Sequence, residues 1–155
     1  IVMRYFQLLL LPIYRKINPS AYFSVFNNSD NSFRYGGKDR KMYKKAMNYT
    51  GYVQDHHCIP KQFKGHSVLK HIGYDVNMAY NIKIMPTKEG IHKLNLDPNT
   101  RSHYKGHTEY NKYIGTELDN IDKLCSLDEK SYNVWLLLKY VKDYNTMNND
   151  EIPWN

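Results

Sequence analysis

The chain contains seven histidines, and all of them fall between His56 and His107. They are His56, His57, His66, His71, His92, His103 and His107. Neutral imidazole is the commonest metal ligand and the general base best suited to neutral pH, so this clustering points to a metal or acid/base site. Two spacings sharpen the reading. His56 and His57 are adjacent and follow Tyr49–Gln54, whose aromatic and β-branched content reads as a strand. Neighbouring residues on a strand point to opposite faces, so the pair suits two different tasks better than joint chelation of one ion. His103 and His107 are four apart. On a helix they would share one face, one turn apart, as a compact two-ligand site for a divalent transition metal. Each spacing alone is weak, because adjacent histidines are usually accidental and an H-x-x-x-H is more often surface or core decoration.

The flanking sequence indicates which elements must position these residues. Pro60 supports a strand ending soon after the pair. Asn81-Ile82-Lys83-Ile84-Met85-Pro86 alternates apolar and polar residues and predicts a second short strand. A short helix is expected over Ser67–Ile72. Asp97-Pro98 offers an N-cap and a first-turn proline for a helix bearing His103 and His107. That helix would continue through the stripe Tyr110, Ile114, Leu118 and Ile121. Gly106 within it would cost about 1 kcal/mol relative to Ala, so the helix starts irregularly or begins only after that glycine. Ser126 and Glu129 form a capping-box pattern ahead of a final helix whose Val134, Trp135, Leu138 and Val141 share a core-facing side. Residues 27–37 are rich in loop formers. The basic run Lys38, Arg40, Lys41, Lys44 and Lys45, with Met42, Ala46 and Met47 at helical spacing, predicts a short basic helix.

The 155 residues are one domain's worth of chain, and 41% hydrophobic with 24% charged residues is ordinary for a folded protein. Two cysteines, Cys58 and Cys125, exclude a disulfide framework and a C-x-x-C zinc ribbon. A net charge of +7 favours an anionic partner, most often nucleic acid, although solubility alone also accounts for such a charge. The apolar stretch Phe6–Ile13 is far short of the roughly 20 residues that span a bilayer, so no transmembrane segment is expected. Arg4 before it and Arg15-Lys16 after it leave an N-terminal export signal as the lesser alternative to a buried element. A soluble protein is expected.

Taken together and in order, Asp55-His56-His57-Cys58-Ile59-Pro60, the Asn81–Pro86 strand, and His103-Tyr104-Lys105-Gly106-His107-Thr108-Glu109-Tyr110-Asn111 resemble the AHH branch of the HNH/endonuclease VII nucleases. The resemblance runs from about Tyr49 to Ile121. It implies an α+β fold whose core is a ββα-metal finger (a His-Me finger). On that reading residues 1–48 are an extension with a basic run, 49–123 are the nuclease domain, and 124–155 are a C-terminal helix and tail packing on the core.

The resemblance also implies chemistry: hydrolysis of a phosphodiester with the help of one divalent metal ion. The family's general base is followed by two residues and then proline, which places the base at His57. His56 then takes a ligand position, and His103 and His107 match the other two ligands. Asn81 matches the asparagine that braces the loop carrying the pair. Products would carry 5′-phosphate and 3′-hydroxyl ends. Zinc, nickel, cobalt, manganese and magnesium all remain open as the ion. Lys61, Lys64, Arg101 and Lys105 flank the motifs and are expected to contact phosphates. The substrate is nucleic acid, with DNA favoured over RNA. Because many relatives are toxin domains, an inhibitor or immunity protein is a further expected partner. Two features leave the ligand set open: Asp55 stands where the branch usually has Ala, and His92 lies in the long stretch between Asn81 and His103. The competing reading is a non-catalytic nucleic-acid-binding or interaction module that keeps the metal finger.

Overall fold

Two short strands carry the histidine pair and the segment opposite it. β1 (Val53–His57) and β2 (Ile82–Pro86) form an antiparallel two-stranded sheet in which His56 faces Lys83 and His57 faces Ile82. The pairing extends one step further, since the Cys58 N–H donates to the Asn81 carbonyl at 2.9 Å. The rest is helical. The computed structural model describes residues 31–103 and 106–155. Among them α1 (Lys38–Ala46) precedes β1, and α2 (Ser67–Ile72) lies between the strands. After β2 come α3 (Lys88–Lys93), α4 (Thr108–Asp122) and α5 (Leu127–Tyr144), giving a mixed α/β architecture. The Phe6–Ile13 stretch and Lys105 lie outside the described residues.

Local signals account for much of this layout. α2 occupies the expected Ser67–Ile72, capped by the His66 side chain, which accepts from the Val68 N–H, and closed by Gly73 in the left-handed region. Ser126 caps α5 by accepting from the Glu129 N–H at 3.1 Å, a bond worth about 1 kcal/mol. The long helix α4 begins after Gly106, the later of the two starts its sequence allows. It does not start at Asp97-Pro98, where the chain makes a turn with the Thr100 N–H on the Asp97 carbonyl. Gly106 has φ +75°, a left-handed conformation that stops any helix running through it, and α4 begins only at Thr108. His103 and His107 are therefore not a helical pair. His103 sits in the approach loop and His107 is the residue just before α4.

The core lies where α2, α4 and α5 meet. Tyr110, Ile114, Leu118 and Ile121 of α4 are all buried, as their spacing predicts. α5 is more deeply enclosed than an amphipathic pattern alone suggests, because every residue from Ser131 to Leu138 is buried. α2 and α4 pack on it. β2 and its approach also reach it, with Lys142 donating to the Tyr80 carbonyl at 2.6 Å and Lys83 donating to Thr146 just beyond the helix at 3.0 Å. The C-terminal tail then folds back, and Arg101 fastens it by donating to Asn145 Oδ1 (2.6 Å), the Ile152 carbonyl (2.8 Å) and the Asn149 carbonyl (3.1 Å). Gly90 of α3 lies so close to the Tyr52 carbonyl that an added Cβ would sit 1.9 Å from it, so only glycine lets α3 pack against the entry to β1. No helix among the described residues is long and apolar enough to cross a membrane.

Candidate metal centre and the residues around it

The pleat of β1 sends its last two side chains to opposite faces. His56 is buried, and its ring meets those of His103 and His107 at centroid distances of 5.3 Å each. One nitrogen from each of the three lies within 4.8 Å of the others, a grouping that could hold a metal ion. Both ring nitrogens of His56 are buried without a hydrogen-bond partner. A buried polar group left unpaired costs about 1–3 kcal/mol, and a cation would take up the lone pair of one of the two. The other two imidazoles are oriented by amide oxygens. His103 Nδ1 lies 2.7 Å from Gln54 Oε1, and His107 Nδ1 lies 2.9 Å from Asn111 Oδ1. An amide oxygen only accepts, so Nδ1 carries the hydrogen in both rings and Nε2 keeps the lone pair.

Electrostatics agree with this arrangement. Burial holds His56 well below the ordinary imidazole value, and the nearby His103 and His107 push it the same way. Burial also lowers His103, with His107 adding to the effect. His56 and His103 thus favour the neutral, ligating form. Trp154 closes one side of the group, its indole 5.1 Å from the His56 ring, 6.1 Å from His103 and 4.9 Å from His107. Arg101 lies over that indole at 5.1 Å. A cleft of about 440 Å³ opens on the side of His103 and His107, lined also by Gln54, Thr87 and Lys88.

His57 has different surroundings. It is half-buried, with Nε2 2.9 Å from Asn77 Oδ1 and its ring 4.5 Å from that of Tyr35. Burial lowers its pKa, opposed by the Asn77 hydrogen bond, while Lys61 lowers it further and Asp55 raises it. Asp55 shares this face of β1 and pairs with Arg40 (3.2 Å) and Lys44 (2.8 Å) of α1. Its carboxylate is thus engaged by α1, and the three-histidine grouping does not include it. His92 is likewise outside the group: it is exposed on α3 beside a different cleft lined by Ile91 and Asn95.

Asn81 is fully buried directly ahead of β2. Its Oδ1 accepts from the Ile59 N–H (2.9 Å) and the Tyr74 hydroxyl (2.7 Å), while Nδ2 donates to the Ile59 (3.1 Å) and Val76 (2.7 Å) carbonyls. One side chain thus ties the segment following the histidine pair to the second strand. Lys61 and Lys64 are exposed on the turn after Pro60. Arg101 requires a correction. It is 3% exposed and spends its guanidinium on the C-terminal tail, so it is not available to a phosphate. The remaining reactive groups have structural explanations. Cys58 is buried and its thiol is pushed up to about 11, so it is no thiolate nucleophile. His66 caps α2 and contacts Asp119 at 2.7 Å, and His71 is exposed.

Residues 38–135 match the model of a nuclease family of the HNH/ENDO VII superfamily with a conserved AHH motif. The chain belongs to this AHH nuclease family. The matched span begins in α1 and ends inside α5, so it includes α1, which lies ahead of the motifs that carry the resemblance. No curated protein and no solved structure matches the chain. In place of Ala-His-His the chain reads Asp55-His56-His57, and the aspartate is neutralised by Arg40 and Lys44. Several residues at the site have only faint sequence signals. Gln54 is two before His56, hence on the same strand face, and Asn111 is four after His107. Asn77, Tyr35 and Trp154 have none, because only the fold brings them near.

Proposed function

We propose that this AHH-family nuclease is a metal-dependent endonuclease in which β1, β2 and the start of α4 act as a ββα-metal finger. Residues 49–123 carry the nuclease domain, 1–48 extend it, and 124–155 supply the packing helix and the tail that bears Trp154. His56, His103 and His107 hold one divalent ion, and His57 is the general base. The observation that carries the reading is the division at the end of β1. One histidine is buried among two other imidazoles with unpartnered nitrogens, and its neighbour is half-open with one nitrogen already engaged. The donor set of three neutral imidazoles suits zinc, nickel, cobalt or manganese better than magnesium.

A bound divalent ion supplies charge stabilisation for the scissile phosphate and the leaving oxygen. The protein's residues do the rest. His57 is neutral near pH 7 and accepts a proton from the attacking water. The new O–P bond forms as the bond from phosphorus to the 3′ oxygen breaks, and that oxygen takes a proton from solvent. Asn81 keeps the pair in register by fixing the backbone of Ile59. Trp154 covers one side of the three histidines. Lys61, Lys64, Lys105 and the exposed Lys38, Lys41 and Lys45 of α1 contact backbone phosphates. Such contacts read no sequence, so binding should weaken with salt at a log–log slope of about −0.9 per phosphate neutralised on duplex DNA. DNA is the favoured substrate.

The test is nicking of supercoiled plasmid by the purified chain loaded in turn with magnesium, manganese, nickel and zinc, with and without chelator. Chelator-sensitive nicking is expected. No cleavage of plasmid or RNA with any of the ions would leave the non-catalytic module as the better account.

A further inference from the structure

We infer that Asn77 is a positioning residue that sets the tautomer of His57, and that it does so from a frame built partly ahead of the family's matched span. The inference rests on the proposed role of His57 as base. The Asn77 side-chain oxygen lies 2.9 Å from His57 Nε2. An amide oxygen has lone pairs and no hydrogen, so a neutral His57 must carry its proton on Nε2. The lone pair is then on Nδ1, the nitrogen that remains to take a proton from water.

Asn77 is itself held. Its N–H donates to Asp75 Oδ1 at 3.0 Å, and its carbonyl accepts from the Tyr35 N–H at 3.0 Å. Arg34 pairs with Asp75. The Tyr35 ring then lies against the His57 ring, 4.5 Å between centroids at 59°. The imidazole is thus held at one nitrogen by Asn77 and flanked by the tilted Tyr35 ring, and the backbone bond between those two residues makes the frame one unit. Arg34 and Tyr35 both precede residue 38, where the family match begins. None of these four residues touches the three clustered histidines in the contacts described above. The frame can therefore be altered without removing a metal ligand.

The experiment is long-range 1H–15N correlation of the histidine rings in the full chain with zinc added. It is combined with cleavage kinetics using whichever ion supports nicking. The wild type should show His57 as the Nε2–H tautomer. Asn77→Ala should give a mixture of tautomers and a kcat lower by roughly 10²-fold, the scale of a displaced reacting group. KM and zinc stoichiometry should stay unchanged. Asn77→Asp keeps an acceptor oxygen and should retain the wild-type tautomer and most of kcat. An Nδ1–H tautomer in the wild type would overturn the inference even if Asn77→Ala failed to fold. Wild-type kcat and tautomer in a folded Asn77→Ala would overturn it as well. Absence of cleavage in the wild type would instead count against the nuclease reading, and the ring spectrum would still decide the role of Asn77.

Discussion

The two faces of β1 carry the same side chain and treat it in opposite ways. On one face His56 is buried against His103, His107, Tyr110 and Trp154, with no hydrogen-bond partner on either nitrogen. On the other His57 is half-open, among polar and charged neighbours, with Asn77 on one nitrogen and the Asp55–Arg40–Lys44 group beside it. Burial lowers the proton affinity of both. What differs is what each ring faces. A dry pocket with two more imidazoles favours an ion. A wet, one-sided hydrogen bond favours a group that exchanges a proton with solvent. A strand's pleat is enough to separate these environments by one residue.

The largest effect should come from emptying the dry face. His103→Ala combined with His107→Ala leaves one imidazole, so metal content by elemental analysis should fall to background and nicking should go with it. Thermal stability measured with metal present should fall too, because metal binding adds to folding free energy. Full metal occupancy in the double variant would refute the ligand set.

Next in size is the brace between the faces. Asn81→Ala would leave the Ile59 N–H and the Tyr74 hydroxyl without their shared acceptor. We expect a loss of about 3 kcal/mol in urea unfolding, the cost of stranding buried polar groups. A loss below 1 kcal/mol would mean that the loop after the pair holds itself.

Trp154→Ala should weaken metal affinity by roughly 10-fold, the lower end of what outer contacts to a metal site contribute. Isothermal titration with zinc measures this. Unchanged affinity would show that the tail covers the site without shaping it.

How much of this comparison is visible in sequence depends on how far apart the partners lie. The α2 span, the Tyr110–Ile121 stripe and the Ser126 cap all rest on contacts within a few residues, and their patterns were readable. The histidine grouping was readable through the family resemblance, although its geometry was not. Gly106 breaks the helix that the His103–His107 spacing suggests, so the two rings meet through a loop and a helix start. Arg101 reads as a surface cation because nothing local reveals that the tail at Asn145–Ile152 returns to bury it. Asn77 and Trp154 lie 20 residues or more from the histidines they touch in space, and short-range patterns are blind to such pairs.

The smallest effect concerns acid. In the metal-free protein His56 has its folded pKa held below the unfolded value of about 6.5. The unfolded chain therefore binds more protons once pH drops below that value. The stability associated with neutral His56 is fully present above about pH 6.5 and is lost as pH falls toward the folded pKa. Urea midpoints of the metal-free chain should thus decline from pH 7 to pH 5, and less so in His56→Ala. Equal declines in both would assign the acid sensitivity to other groups.

The division of labour at the end of β1 is tested most directly by one paired measurement: zinc stoichiometry and plasmid nicking on His56→Ala and His57→Ala side by side. The account predicts that His56→Ala loses metal and cleavage together. It predicts that His57→Ala keeps full metal content while cleavage falls 10²–10⁴-fold, or roughly 3–5 kcal/mol of transition-state stabilisation. A His57→Ala protein that still cuts at the wild-type rate, or that loses its metal along with its activity, would contradict it.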